Sequence, residues 1–269
     1  MKRSAPDDNP RALGRAERLR LGTSRALAAK RAEVIWHDVE CGSYTADLPV
    51  WRDLAERAGG PVLELGAGTG RVALDLAAQG HEVTALDADG ELLAELAARA
   101  AEAEILVETL HEDARNLRVR NRFSLVIAPM QFFQVVGGRE ARADVLRGVA
   151  EALVPGGLFA TAVAALDDAV PPDDAEPPLP DVGEWDGWVY SSLPLDVRPE
   201  PGGVAVERLR QVVSPRGRLT EERHTQLLDS LSPEQLEREA AAAGLRPEAR
   251  HEIAATPDHV GSTVIVWRR

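Results

Sequence analysis

The chain has 269 residues, 44% of them apolar and 28% charged, and carries a net charge of -13. That length can bury one sizeable core, and no stretch approaches the roughly eighteen uninterrupted apolar residues of a membrane helix, so no membrane-spanning helix is expected. Residues 1–31 carry +6 and the rest of the chain -19, and so acidic a body repels a nucleic-acid backbone, which weighs against DNA or RNA as the methyl acceptor.

In chain order, Met1 to Asp8 hold no signal-peptide apolar region. The single Cys41 can form neither an internal disulfide nor a zinc pair, and a cytoplasmic setting is expected. No metal site is expected either, since none of the six histidines stands at i, i+4 with another. Residues 1 to about 55 precede the first strand, and Ala12 to Arg31 and Pro49 to Arg57 read as helices. The first is a solvated helix or frayed tail with Leu19, Leu21, Leu27 and Ala28 on an apolar side, or else a basic arm able to touch phosphates.

Pro61 to Leu65 is a short apolar stretch of strand type, and Arg71 to Ala78 has apolar residues at helical spacing. Gly66, Gly68 and Gly70 therefore fall in a strand-to-helix turn, where the chain must bend tightly and the NH groups of the new helix point at a ligand. The second strand, Glu82 to Leu86, ends on Asp87, seventeen residues after Gly70, where a carboxylate can accept hydrogen bonds from ribose hydroxyls. A dinucleotide would call for G-x-G-x-x-G. The spacing here is G-x-G-x-G with Arg71 at the sixth position, and that bulk does not suit the close helix-to-strand packing of the third fingerprint glycine.

Ile105 to Thr109 reads as a third strand and Phe123 to Ala128, nearly continuously apolar, as a buried fourth. Leu153 to Gly157 closes a helix and turns into a fifth, Leu158 to Ala162. Asp167 to Asp181, rich in proline and acid with no apolar period, reads as a mobile loop. Beyond it, Trp185 to Ser192, Gly203 to Ser214 and Arg218 to Leu228 read as strands of a half-buried antiparallel sheet, the last two joined by a hairpin turn at Ser214 to Gly217. Ser232-Pro233-Glu234-Gln235 starts a helix with a capping box and Gly244 stops it. Strands near Arg250 to Ile253 and over Ser262 to Trp267 follow.

The run Val62 to Arg71, with Glu64 inside it, resembles motif I of the class I S-adenosylmethionine-dependent methyltransferases, and the later segments keep that family's order. The resemblance covers residues 55 to 165 well and the C-terminal forty residues moderately. It implies an α/β, Rossmann-like sheet of seven mostly parallel strands with the last antiparallel, helices on both faces and a small added antiparallel β insertion. The expected organisation is an N-terminal helical cap (1–55), an S-adenosylmethionine-binding core (56–165), an acidic Pro-rich loop with the β insertion (166–230), and a C-terminal helix and β-hairpin completing the core sheet (231–269). The insertion either roofs the acceptor pocket or makes a dimer contact, and the protein is expected as a monomer or homodimer.

By the same resemblance, S-adenosylmethionine is the cofactor and S-adenosylhomocysteine the product. Glu64, Gly66, Ala67 and Gly68 would hold its methionine end, Asp87 and Ala88 its ribose, and Asp113 with Ala114 its adenine. Pro129 and Met130 would lie beside the methionine portion, and Tyr44 and Arg71 could reach its carboxylate. Gln131, Phe132, Phe133 and Trp36 are candidates for the acceptor site, with core packing as the alternative for each, above all for Phe133 and Trp36, and Tyr44 too can be read as a packing residue. Methyl transfer from a sulfonium needs alignment and exclusion of water more than side-chain chemistry. A base is required only for an acceptor that starts protonated, and His259 and His224 are the candidates, each also readable as structural.

The expected activity is transfer of a methyl group to nitrogen or oxygen of a small molecule. Two other readings stay open: a cofactor-binding regulatory or assembly protein that does not methylate, and a protein or RNA methyltransferase using the basic arm. The loop after the fourth strand shares only Pro129 with the N-P-P-Y sequences of base-amino methyltransferases.

Overall fold

The computed structural model describes residues 32–166, 178–256 and 259–269. The expected helix over Ala12 to Arg31 lies outside them. A helix over 32–41 (α1) precedes α2 (Leu48–Ala58), which has Pro49 in its first turn and stops at Gly59 with φ 61°. The core then alternates strand and helix: β1 (Val62–Leu65), α3 (Ala73–Ala78), β2 (Val83–Asp87), α4 (Gly90–Glu102), β3 (Val107–His111), β4 (Phe123–Ala128), α5 (Phe132–Val135), α6 (Arg139–Ala152) and β5 (Leu153–Ala164). After the insertion come α7 (Pro233–Ala242), β10 (Arg246–Ile253) and β11 (Ser262–Arg268).

The seven-stranded sheet has the order β10-β11-β5-β4-β1-β2-β3. Its β1, β2, β3, β4 and β5 pair in parallel, and β11 runs antiparallel between β5 and β10. Strand β1 is buried along its whole length, as a parallel strand covered on both faces must be. One face packs Trp51, Leu54, Leu76, Leu93 and Leu96 from α2, α3 and α4. The other packs Phe133, Val145, Leu146, Val149 and Leu236 from α5, α6 and α7. At the start of α7, Ser232 accepts from the Gln235 NH at 3.2 Å, the expected cap.

The insertion is a four-stranded antiparallel sheet, β6 (Asp181–Trp185), β7 (Trp188–Glu200), β8 (Gly203–Val213) and β9 (Leu219–Asp229). Two expectations need correcting. Trp185 to Ser192 is not one strand: Asp186 (φ 51°) and Gly187 (φ 74°) turn the chain between β6 and β7. Asp-Gly is a strong two-residue hairpin signal because both central residues tolerate positive φ, but the tryptophans on either side disguise it as a continuous run. The loop expected to reach Asp181 ends earlier, since Asp181 opens β6; its residues 167–177 lie outside the described ones. The turn at Ser214 to Gly217 is as expected, with Gly217 NH donating to Ser214 O at 2.8 Å.

This sheet is tied to the core at two places. Asp229 at the end of β9 accepts from Arg142 of α6 at 2.6 Å and from the Gly138 NH at 2.5 Å, while Ala164, Leu166, Val204 and Leu228 form an apolar cluster beneath it. Its other contact is α1, where Glu40 accepts from Arg210 at 2.8 and 2.9 Å and from Ser192 at 2.7 Å. Helix α1 thus lies between the insertion and the C-terminal edge of the main sheet.

Candidate active site

The turn after β1 holds Gly66, Gly68 and Gly70 at φ 68°, 56° and 96°. That region costs most L-residues 1–2 kcal/mol or so, and glycine nothing comparable. Space is also short. A Cβ on Gly66 would lie 2.6 Å from Phe132 Cδ2, and one on Gly68 would collide with the His37 imidazole. At the end of β2, Asp87 Oδ2 accepts from the Gly68 NH at 2.8 Å and Oδ1 from the Asp89 NH at 2.9 Å. The carboxylate is therefore pinned beside the turn, and each oxygen keeps a second lone pair for a ligand hydroxyl. Ala88, next to it, is exposed.

Glu64 sits one strand position before Leu65 and is 3% exposed. Its Oε2 has no hydrogen-bond partner among the described residues. Burial pushes the carboxyl up to about 8, against the pull of Arg71 and of the Ala73 NH. A buried, unpaired acceptor behind a glycine turn is costly unless a donor reaches it. Together, the glycine cradle, the pinned Asp87 and the orphaned Glu64 oxygen fit a ligand with ribose hydroxyls and a positively charged end. S-adenosylmethionine is such a ligand.

A second cluster forms the adjoining wall. Asp47, at the cap position of α2, turns its carboxylate away from the helix to take Arg71 in two bonds of 2.6 and 2.8 Å and the Trp51 Nε1–H at 2.8 Å. Arg71 also donates to Tyr44 O at 2.8 Å, and its guanidinium lies 5.2 Å from the centre of the Tyr44 ring. The His259 ring lies tilted against Tyr44, with ring centres 4.6 Å apart. Burial raises the Tyr44 phenol above its ordinary range, and a hydrogen bond with Ser262 opposes this. The structure thus brings Tyr44, Arg71 and His259 together, whereas His224 stands on β9 across from Arg208 in the added sheet.

After β4, Pro129 is buried and Met130 has φ 54°, a left-handed conformation uncommon for a non-glycine residue and found where a loop is held for function. Gln131 and Phe132 are half-buried, with Phe132 lying on Gly66. Phe133 is fully buried, 5.8 Å from the Phe159 ring. Trp36 is also buried, edge-on to Tyr190 at 5.4 Å and 5.2 Å from the Arg210 guanidinium. For both rings the packing alternative describes their surroundings. Asp113 caps the turn over Ala114–Asn116 and pairs with Arg115, which holds its carboxyl below the usual range; Ala114 is buried.

Sequence reading passed over several residues here. Gln134 is buried and bonds both ways to the Ala164 backbone, at 2.9 Å to its NH and 3.3 Å to its carbonyl, which joins α5 to the end of β5. His37 and Asp38 of α1 bond to Thr69, and Asp38 pairs with Arg99 of α4. Asp47 alone had a local signal, an acid two residues before a proline at a helix start. Among the described residues, no group of three His, Cys, Asp or Glu side chains could hold a metal, and no helix is long and apolar enough to cross a membrane.

A sheet of this order with β11 reversed, a G-x-G-x-G turn after β1 and an acid closing β2 define the class I methyltransferase fold. Residues 62–157 match the family model described as a methyltransferase domain, a match consistent with the class I S-adenosylmethionine-dependent methyltransferase family. The sugar N-methyltransferase KedS8 from Streptoalloteichus has a similar structure, at 16% identity and a TM-score of 0.68 over 100% of this chain and 98% of that one. The 1,6-didemethyltoxoflavin N1-methyltransferase from Burkholderia thailandensis aligns at 19% identity and a TM-score of 0.54, over 98% and 94%. The glycopeptide N-methyltransferase MtfA aligns at 25% identity and a TM-score of 0.55, over 82% and 86%. No curated protein sequence matches the chain.

Proposed function

We propose that the protein transfers a methyl group from S-adenosylmethionine to a nitrogen atom of a small polar molecule. The observation that carries this is the turn itself: Gly66 and Gly68 held open at positive φ, between the pinned Asp87 carboxylate and the unpaired buried oxygen of Glu64. Nitrogen is preferred to oxygen because the three structures named above are described as N-methyltransferases of a sugar, a toxoflavin precursor and a glycopeptide.

When bound, the cofactor supplies a methyl group on a positively charged sulfur, open to in-line displacement. The chain's own part is to hold and enclose. Asp87 accepts the ribose hydroxyls, Gly66 to Gly68 leave room for the methionine end, and Glu64 faces its positive charge. Helix α1 and the added sheet cover the site and keep water out. Gln131 and Phe132 orient the acceptor, and His259, tilted against Tyr44, takes a proton from an acceptor that starts protonated.

Calorimetry tests the reading. Asp87→Ala should weaken S-adenosylmethionine by about 1.5–3 kcal/mol, the value of hydrogen bonds to a charged group; unchanged affinity removes Asp87 from the site. In thermal-shift measurements S-adenosylhomocysteine should raise the Tm more than nicotinamide or flavin dinucleotides, and the reverse order would overturn the assignment. Gln131→Ala should lower turnover of the true acceptor while leaving cofactor Kd almost unchanged. Equal loss of both would place Gln131 against the cofactor instead.

A further inference from the structure

His37 projects from α1 against Gly68, close enough that a Cβ there would strike its ring. Its neighbours determine where the ring proton sits. Thr69 Oγ1 has a single hydrogen and lies 2.7 Å from Asp38 Oδ1 and 3.2 Å from His37 Nδ1. The bond to the carboxylate is charge-assisted and takes that hydrogen. The hydroxyl oxygen is then left to accept, so Nδ1 carries the ring hydrogen and Nε2, toward Gly68, is the acceptor. Asp38 is fixed in turn by Arg99, which reaches across from α4 with a bond of 3.0 Å and also holds Glu95 at 2.9 Å.

Resting on the reading of this turn as the S-adenosylmethionine cradle, we propose that His37 is a charge-sensing residue of the cofactor site. Neutral, it admits the cationic cofactor; protonated at Nε2, it discriminates against the sulfonium in favour of the uncharged thioether product. The two ligands share ribose, adenine, ammonium and carboxylate and differ by one positive charge at sulfur. An imidazolium beside the cradle repels that charge, while a neutral ring does not.

The charged groups around the ring come from every element packed on it: Asp38 on α1 itself, Asp87 at the end of β2, Arg71 after the turn, and Arg99 on α4. Burial is the largest influence and holds the imidazole below its ordinary value of 6.5, aided by Arg99 and Arg71 and opposed by Asp38 and Asp87. The ring therefore gains its proton only on acidification below that value. Glu64 changes charge on the alkaline side, outside this window.

The test is the pair of Kd values for S-adenosylmethionine and S-adenosylhomocysteine, measured by calorimetry from pH 5 to 6.5, below the range in which Glu64 ionises. For the unmodified protein, Kd of the cofactor divided by Kd of the product should rise about tenfold as the pH falls across this range. His37→Gln should flatten the ratio to within about twofold, because an amide keeps hydrogen-bonding capacity but does not titrate. Asp38→Asn should move the rise to lower pH, since it removes a group that favours the charged ring. Product binding at pH 6.5 reports that each variant is folded. A flat ratio in the unmodified protein, or a slope that survives His37→Gln, overturns the proposal. Failure of S-adenosylhomocysteine to bind the unmodified protein at any pH overturns the cradle reading beneath it instead.

Discussion

Without ligand, the protein should lose on the order of 4 kcal/mol of stability between pH 5 and pH 8, and Glu64→Gln should abolish that loss. The sign follows from the carboxyl's place. Its ordinary value is 4.5 and burial raises it to about 8 in the folded chain, so the folded state keeps a proton that the unfolded state gives up. Below pH 4.5 both states are protonated and nothing is lost. Above it, each pH unit favours the unfolded chain by about 1.4 kcal/mol until the folded carboxyl ionises in turn. Urea unfolding at pH 5, 6.5 and 8 measures the slope for both proteins. Glutamine brings its own buried amide, so the difference in slope is diagnostic and the absolute difference is not. Parallel slopes would mean that Glu64 ionises as freely in the folded protein as in the unfolded one. The same substitution should weaken S-adenosylmethionine, because the ligand's positive end is what makes a buried charge at Glu64 favourable.

The parts of this molecule that sequence reveals are those encoded over short stretches. A continuous apolar strand, three glycines at alternate positions and an acid closing the next strand occupy Val62 to Asp87, and each constrains its neighbours within a few residues. The sheet follows, because parallel strands with helical crossovers admit few arrangements. What was hidden depends on distant partners. Asp38 meets Arg99 61 residues away, and Glu40 meets Arg210 170 residues away. Neither acid carries a local pattern, and the helix over 32–41 that carries them was not among the helices expected within the N-terminal cap. Trp36 and Phe133 show the converse: aromatic residues near a predicted site suit a substrate wall and a core equally well until their neighbours are known. The β6–β7 turn was legible in Asp186-Gly187 and was masked by the strand-like residues around it.

Asp47→Ala should cost about 3–5 kcal/mol, the largest loss we expect from a single side chain beside the site. Asp47 is 1% exposed and Arg71 has only 10% of its side chain exposed, so their bidentate pair is shielded from water. Removing the carboxylate leaves a guanidinium without its partner and the Trp51 Nε1–H without its acceptor. The guanidinium keeps the Tyr44 carbonyl as an acceptor, and the acidic group left to balance its charge is Glu64, with which it already interacts. With Asp47 gone, both the loss of a neighbouring negative charge and the freed Arg71 favour ionised Glu64. The stability slope between pH 5 and 8 should therefore shrink in Asp47→Ala even as overall stability falls. The double variant Asp47→Leu with Arg71→Met, which replaces both charges by apolar groups, should recover most of the lost stability, as buried pairs commonly do when removed together. A loss below about 1 kcal/mol in Asp47→Ala would put the pair in the class of exposed salt bridges, and the wall formed by Tyr44, Arg71 and His259 would then need another support.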